Sequence, residues 1–195
     1  MKVSRVWIQS RHIMAIVIVL VIASFFGWWE LTSHSPTNSV LDAGESSLKI
    51  KVGEQVPNFR LETPDDSELQ LSDFVGRAVV LNFWATWCSP CRAEMPALQQ
   101  IANEYGPSRE LVVVGINMME SPEVVKSYTK ELGLSFPMAL DRKGVLAARY
   151  GLIGLPATFF IDADGILQAQ TLGQLHGELL HDGIDAVLGD QVDIP

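Results

Sequence analysis

Apolar and polar positions divide the chain into an apolar start, a polar stretch and an alternating body. Residues 13–29 run without a charge and without a polar face. Residues 30–51 are rich in Thr, Ser, Asn, Pro and Gly and show no period, the composition of a linker. From Val52 onward, short β-branched and aromatic runs alternate with stretches whose apolar residues recur every three or four positions. The pattern predicts a hairpin of strands near 59–61 and 69–71 around the Pro64-Asp65-Asp66-Ser67 turn. A strand at 78–85, a helix at 90–105, a strand at 111–117 and a helix at 122–132 capped by Ser121 follow. Then come a strand at 136–140 and a short helix at 144–150. Strands at 157–162 and 166–173 flank the Asp164-Gly165 turn, and an amphipathic helix spans 176–188. Such alternation predicts an α/β fold with a mainly parallel sheet, to which the last hairpin adds antiparallel strands.

The strand at 78–85 leads through Thr86 and Trp87 to Cys88-Ser89-Pro90-Cys91, where the longest helix begins. Pro90 suits a first helical turn, where its missing N–H costs nothing. A helix N-terminus carries unpaired N–H groups and partial positive charge. Cys88 there is favoured as a thiolate and is the expected, exposed attacking sulfur. Cys91, three residues on and on the same helical face, can attack a mixed disulfide on Cys88 and release the substrate. These are the only two cysteines, so a disulfide-stapled scaffold is excluded. A structural zinc site needs more ligands than two sulfurs, and His12, His34, His176 and His181 do not stand at zinc-finger distance from Cys91. Covalent haem attachment needs His after the second Cys, and position 92 is Arg.

From Asn82 through Phe83-Trp84-Ala85-Thr86-Trp87-Cys88-Ser89-Pro90-Cys91-Arg92 to Ala93-Glu94-Met95-Pro96, the chain resembles the thioredoxin superfamily. It is especially similar to the membrane-anchored ResA/TlpA group of thiol–disulfide oxidoreductases, over roughly residue 52 to the C-terminus. The opening Gly53-Glu54-Gln55-Val56-Pro57-Asn58-Phe59 is also similar to that group and to peroxiredoxins. The resemblance implies a thioredoxin-like fold with an N-terminal β-hairpin, and the helix and strand at 122–140 resemble the group's insertion. It implies a redox-active Cys88–Cys91 disulfide as the reacting group, with no cofactor and no metal.

Pro156, before the strand at 157–162, reads from spacing alone equally as a strand-initiating proline and as a site residue. The resemblance implies a cis proline facing the dithiol, with the Leu155 backbone exposed to pair with a substrate strand. Trp87 is expected at the rim of the site, offering a flat apolar surface to a polypeptide, and Trp84 in the core. Pro96 lies inside the helix, where a kink is expected. Two departures from thioredoxin itself stand out. Asn82 occupies the place of a buried Asp, and Gly115 aligns with a Lys. Glu94 matches a glutamate that the ResA-like group carries beside its active site. Apolar neighbours would raise its pKa and suit it to take and return the Cys91 proton. The competing reading of Glu94 is a solvated helix carboxylate.

Charge sharpens the organisation. Lys2, Arg5 and Arg11 precede Glu30, the first acid, and the remaining 11 basic residues face 23 acidic ones, a net −12. That balance does not suit nucleic acid. Seventeen uncharged residues, 13–29, extend about 25 Å as a helix, against a hydrocarbon core of about 30 Å. With basic residues before them and aromatics at the far end, residues 1–11 read as a cytoplasmic N-terminus and 12–29 as a single transmembrane anchor. A 30–51 linker then leads to an extracytoplasmic, thioredoxin-like domain at 52–195. A cleaved signal peptide and a secreted domain is the alternative, weakened by the lack of a clean small-x-small site.

The expected activity is disulfide exchange with protein substrates as a reductant, by resemblance in cytochrome c maturation with apocytochrome c as a partner. A membrane oxidoreductase would supply electrons, since no Gly-x-Gly-x-x-Gly opens a helix to bind a nucleotide. Rival readings are an oxidant of exported proteins, a peroxiredoxin-like peroxide reductase, and a copper or zinc chaperone using the dithiol. A peroxiredoxin would carry Pro and Thr where this chain has Leu81 and Ala85.

Overall fold

The computed structural model describes residues 50–108 and 110–189. The expected cytoplasmic segment, anchor and nearly all of the linker lie outside them. Among the described residues no helix is long and apolar enough to cross a membrane. Ile50 is buried in the core, so the packed domain begins slightly before the expected boundary at residue 52.

Strands β1 (Arg60–Glu62) and β2 (Glu68–Gln70) form the expected hairpin. Leu71 does not continue β2 but opens a 3-10 turn, Leu71–Phe74, because the Gln70 N–H is taken by the Asp73 carboxylate at 2.9 Å. The chain then runs β3 (Ala78–Trp84), α1 (Ser89–Tyr105), β4 (Leu111–Met118), α2 (Pro122–Leu132), β5 (Met138–Asp141) and α3 (Val145–Arg149). It finishes with β6 (Ala157–Ile161), β7 (Leu167–Leu172) and α4 (Gly177–Leu188). β5 starts two residues later than expected: Pro137 has no N–H to give a neighbouring strand, and its carbonyl accepts from Gly115 at 2.9 Å.

The seven strands make one sheet in the order β2-β1-β5-β4-β3-β6-β7. β3, β4 and β5 are parallel, and β6 and β7 add antiparallel strands beyond β3. Every residue of β3 and β4 is buried, as strands covered on both faces require. Alternation along β3 sends Val80, Asn82 and Trp84 to one face and Val79, Leu81 and Phe83 to the other. Helices α1, α2 and α4 cover the Asn82 face. Asn82 bonds Glu94 of α1, and Trp84 lies against Tyr128 of α2 with ring centroids 5.3 Å apart. A Cβ on Gly183 of α4 would fall 2.3 Å from the Phe160 ring, so only glycine allows that approach. On the opposite face Phe83, Phe159 and Tyr150 form a ring cluster with centroids 5.5–5.7 Å apart. Burying each such ring contributes about 1.5–3 kcal/mol, which makes the C-terminal end of β3 a rigid platform.

Gly115 pairs with Asn82 across β3 and β4. A Cβ there would sit 2.5 Å from Met138 Sδ and 3.0 Å from Trp84 Nε1. The indole and the thioether of this chain fill the space that a lysine would need.

Candidate active site

β3 delivers the chain to a four-residue connection, Ala85 to Cys88, from which α1 departs. Cys88 is the helix N-cap, with extended backbone angles, and its Sγ accepts from the Cys91 N–H at 3.2 Å. Pro90 lies in the first helical turn. Cys88 and Cys91 are joined as a disulfide, with Cα atoms 5.2 Å apart. Cys91 has no exposed surface and Cys88 retains 5 %. The expected open exposure of Cys88 is therefore corrected. In the disulfide its sulfur is bonded to the wholly buried Cys91, and Cys88 is the residue of the pair that retains any exposed surface.

Glu94 is 2 % exposed on the inner face of α1, so its reading as a solvated helix carboxylate is overturned. Its Oε1 accepts from Asn82 Nδ2 at 2.7 Å, and its Oε2 from the Leu175 N–H, also at 2.7 Å. Burial raises its pKa above the ordinary 4.5, and these two hydrogen bonds partly oppose the rise. Asn82 Nδ2 also donates to Thr158 Oγ1 of β6 at 3.0 Å. An uncharged amide thus stands where thioredoxins carry an acid, and the carboxyl group comes from the helix. Neither of the Glu94 hydrogen bonds reaches a sulfur.

The rim is apolar. Trp87 is 66 % exposed, whereas Trp84, the last residue of β3, is wholly buried. The Leu155–Pro156 peptide is cis. β3 pairs with β6 so that Phe83 opposes Ala157, which puts Pro156 beside the end of β3 where the dithiol connection begins. Pro156 is buried, Leu155 half-buried and Ile153, nearby in the chain, 89 % exposed. Pro96 lies within α1.

Several residues at the site escaped the sequence reading. Thr158 and Leu175 are polar partners of Asn82 and Glu94 from distant elements. Glu120 accepts from both Thr86 and Asn117. Asn117 carried the one available signal, a polar residue inside an otherwise apolar strand run.

Residues 52–170 match the AhpC/TSA family. The chain belongs to the AhpC/TSA family. Within it, the thiol-disulfide oxidoreductase ResA of Bacillus subtilis is 35 % identical over 147 residues, 74 % of this chain and 79 % of that protein. The thioredoxin-like protein YneN of the same organism is 30 % identical over 170 residues, 87 % of this chain and 94 % of that one. Among solved structures, a thioredoxin-family thiol:disulfide interchange protein from Chlorobium tepidum superposes with a TM-score of 0.63 at 30 % identity. It covers 71 % of this chain and 99 % of its own. StoA from Bacillus subtilis superposes with a TM-score of 0.57 at 28 % identity, covering 67 % and 99 %. This family member is a thiol–disulfide oxidoreductase of thioredoxin-like α/β fold, and Cys88–Cys91 is its redox pair.

Proposed function

We propose that this oxidoreductase is a reductant of protein disulfides, held outside the cytoplasmic membrane by its N-terminal segment. The observation that carries the direction is the surroundings of the dithiol. Cys88 Sγ accepts the Cys91 N–H, and the linked buried side chains of α1, β3 and β6 nearby are a carboxyl, an amide and a hydroxyl. A strongly oxidising pair needs its thiolate stabilised well beyond this, because stabilising the reduced form raises the potential. Thiolate stabilisation limited to the N-terminus of α1 still leaves the disulfide favoured and makes the dithiol a donor. Equilibration of Cys88–Cys91 with a redox buffer is expected to give a potential well below about −180 mV, the level of protein disulfide isomerase. A value at or above that level makes it an oxidant.

The substrates on this reading are cysteine pairs of exported polypeptides, with apocytochrome c the substrate suggested by resemblance to the ResA/TlpA group. Trp87 and Ile153 give an extended chain an apolar surface to lie on. Electrons come from a membrane oxidoreductase, and no cofactor is required beyond the disulfide. The uncharged run 13–29 supports tethering. Full-length protein is expected in the membrane fraction, with its domain open to protease from outside. A soluble mature protein starting near residue 25 or 30 replaces the anchor with a cleaved signal peptide.

A further inference from the structure

Glu120 lies two residues beyond β4 and gathers three donors on one carboxylate. Its Oε2 accepts from the Thr86 backbone N–H at 2.8 Å and from Asn117 Nδ2 at 2.7 Å, and its Oε1 accepts from the Thr86 hydroxyl. Thr86 belongs neither to β3 nor to α1, and it stands directly before Trp87 and Cys88. Within that connection the Cys88 N–H bonds the Ala85 carbonyl at 3.2 Å. Glu120 adds a tie from a point 34 residues away.

The chain reaches this position by an unusual turn. Met119 has φ +59°, a left-handed conformation that non-glycine residues seldom adopt. Its N–H is held by the Asp141 carbonyl at 3.1 Å, while its side chain is 62 % exposed. A costly backbone state at the edge of an active site, with its side chain left in solvent, marks a turn whose purpose is the residue that follows.

We propose that Glu120 is a positioning residue for disulfide exchange. Its carboxylate clamps Thr86 to the end of β4 and thereby sets how Trp87 and Cys88 meet a protein substrate. Hydrogen bonds to an ionised acceptor are about twice as strong as neutral ones, and exchange requires in-line approach of three sulfurs. Misplacing the attacking sulfur by about 1 Å is enough to cost a large factor in rate. The inference rests on Cys88 being the attacking sulfur.

The test follows kcat and KM for reduction of a disulfide-bonded protein such as insulin, with dithiothreitol regenerating the Cys88–Cys91 dithiol and its uncatalysed rate subtracted, using the full chain well below the Tm of each variant. Glu120→Ala is expected to lower kcat/KM about tenfold or more. Glu120→Gln should recover much of this, since its amide oxygen accepts the Thr86 N–H and its amide nitrogen donates to the Thr86 hydroxyl. Thr86→Val keeps the N–H and loses the hydroxyl. It should show an intermediate loss and add little to Glu120→Ala, because both break one clamp. A folded Glu120→Ala with wild-type kcat/KM and only a lowered Tm overturns the inference. If Glu120→Ala does not fold, unchanged kcat/KM in Thr86→Val overturns it equally. Wild type that exchanges no disulfide sinks the oxidoreductase reading as well, whereas active wild type beside an equally active Glu120→Ala sinks this inference alone.

Discussion

Cys91→Ser leaves the protein joined to its substrates through a mixed disulfide on Cys88, and turnover falls by about a thousandfold or more. In the reducing direction the Cys88 thiolate attacks one sulfur of a substrate disulfide, and the other substrate sulfur leaves as a thiolate. The Cys91 thiolate then attacks Cys88 Sγ. The Cys88–Cys91 bond forms, the second substrate sulfur departs, and two electrons have passed to the substrate. The second step is intramolecular between residues whose Cα atoms stand 5.2 Å apart, so its effective thiol concentration far exceeds that of any free thiol. Serine cannot perform it, and the intermediate persists. The assignment of roles follows from access. Cys91 is wholly buried behind the helix start, while Cys88 is the residue of the pair that keeps some exposed surface. Cys88 is also the N-cap residue, where the first N–H groups of α1 favour a thiolate. Non-reducing electrophoresis with mass spectrometry of trapped species checks this. Trapping by Cys88→Ser in place of Cys91→Ser reverses the two roles.

The parts of this site that were legible in the sequence are those encoded locally. Val79 to Trp84 announce a buried strand, Pro90 a helix start, and the apolar spacing of Met95, Leu98 and Ile101 the face that α1 buries. The two tryptophans could be sorted as well. Trp84 still belongs to the strand and packs inward, and Trp87 lies in the connection and faces solvent. What the pattern hides is pairing at a distance. The bond from Asn82 to Thr158 spans 76 residues and that from Leu175 to Glu94 spans 81. Thr86 and Glu120 each look like ordinary surface residues, and no periodicity links them. Element ends shifted for equally local reasons of hydrogen bonding: Pro137 delays β5, and Asp73 draws Gln70 into a cap and ends β2. Leu71 shows the limit of alternation as a guide, since it is buried as a strand residue would be yet sits in a 3-10 turn.

Glu94→Gln is expected to keep the fold, slow disulfide exchange by about a hundredfold near neutral pH, and remove a pH dependence from thiol reactivity. The reason lies in what Asn82 can do. The Asn82 amide nitrogen donates to Glu94 Oε1 at 2.7 Å, the arrangement that suits an ionised Glu94. With Glu94 protonated, rotation of the amide offers Oδ1 to the carboxyl proton, and Thr158 can turn its hydroxyl to match. Asn82 therefore serves both protonation states, which a second carboxylate could not do without a proton of its own. Glu94 can then accept a proton as Cys91 becomes a thiolate and return it later, and burial raises its pKa toward the range where that exchange is balanced. In the Glu94→Gln variant the new amide oxygen retains the Leu175 bond and the new amide nitrogen donates to the rotated Asn82, so loss of rate is not loss of structure. Stability supplies an independent sign. A carboxyl whose pKa is raised by folding binds its proton more tightly in the native state. Wild type should therefore lose stability relative to Glu94→Gln as pH rises from the ordinary 4.5 through the raised value. Exchange rate, Cys88 alkylation and denaturant unfolding measured across pH for both proteins decide the matter. Superimposable rate and alkylation curves would leave Glu94 a buried structural acid with no part in moving the Cys91 proton.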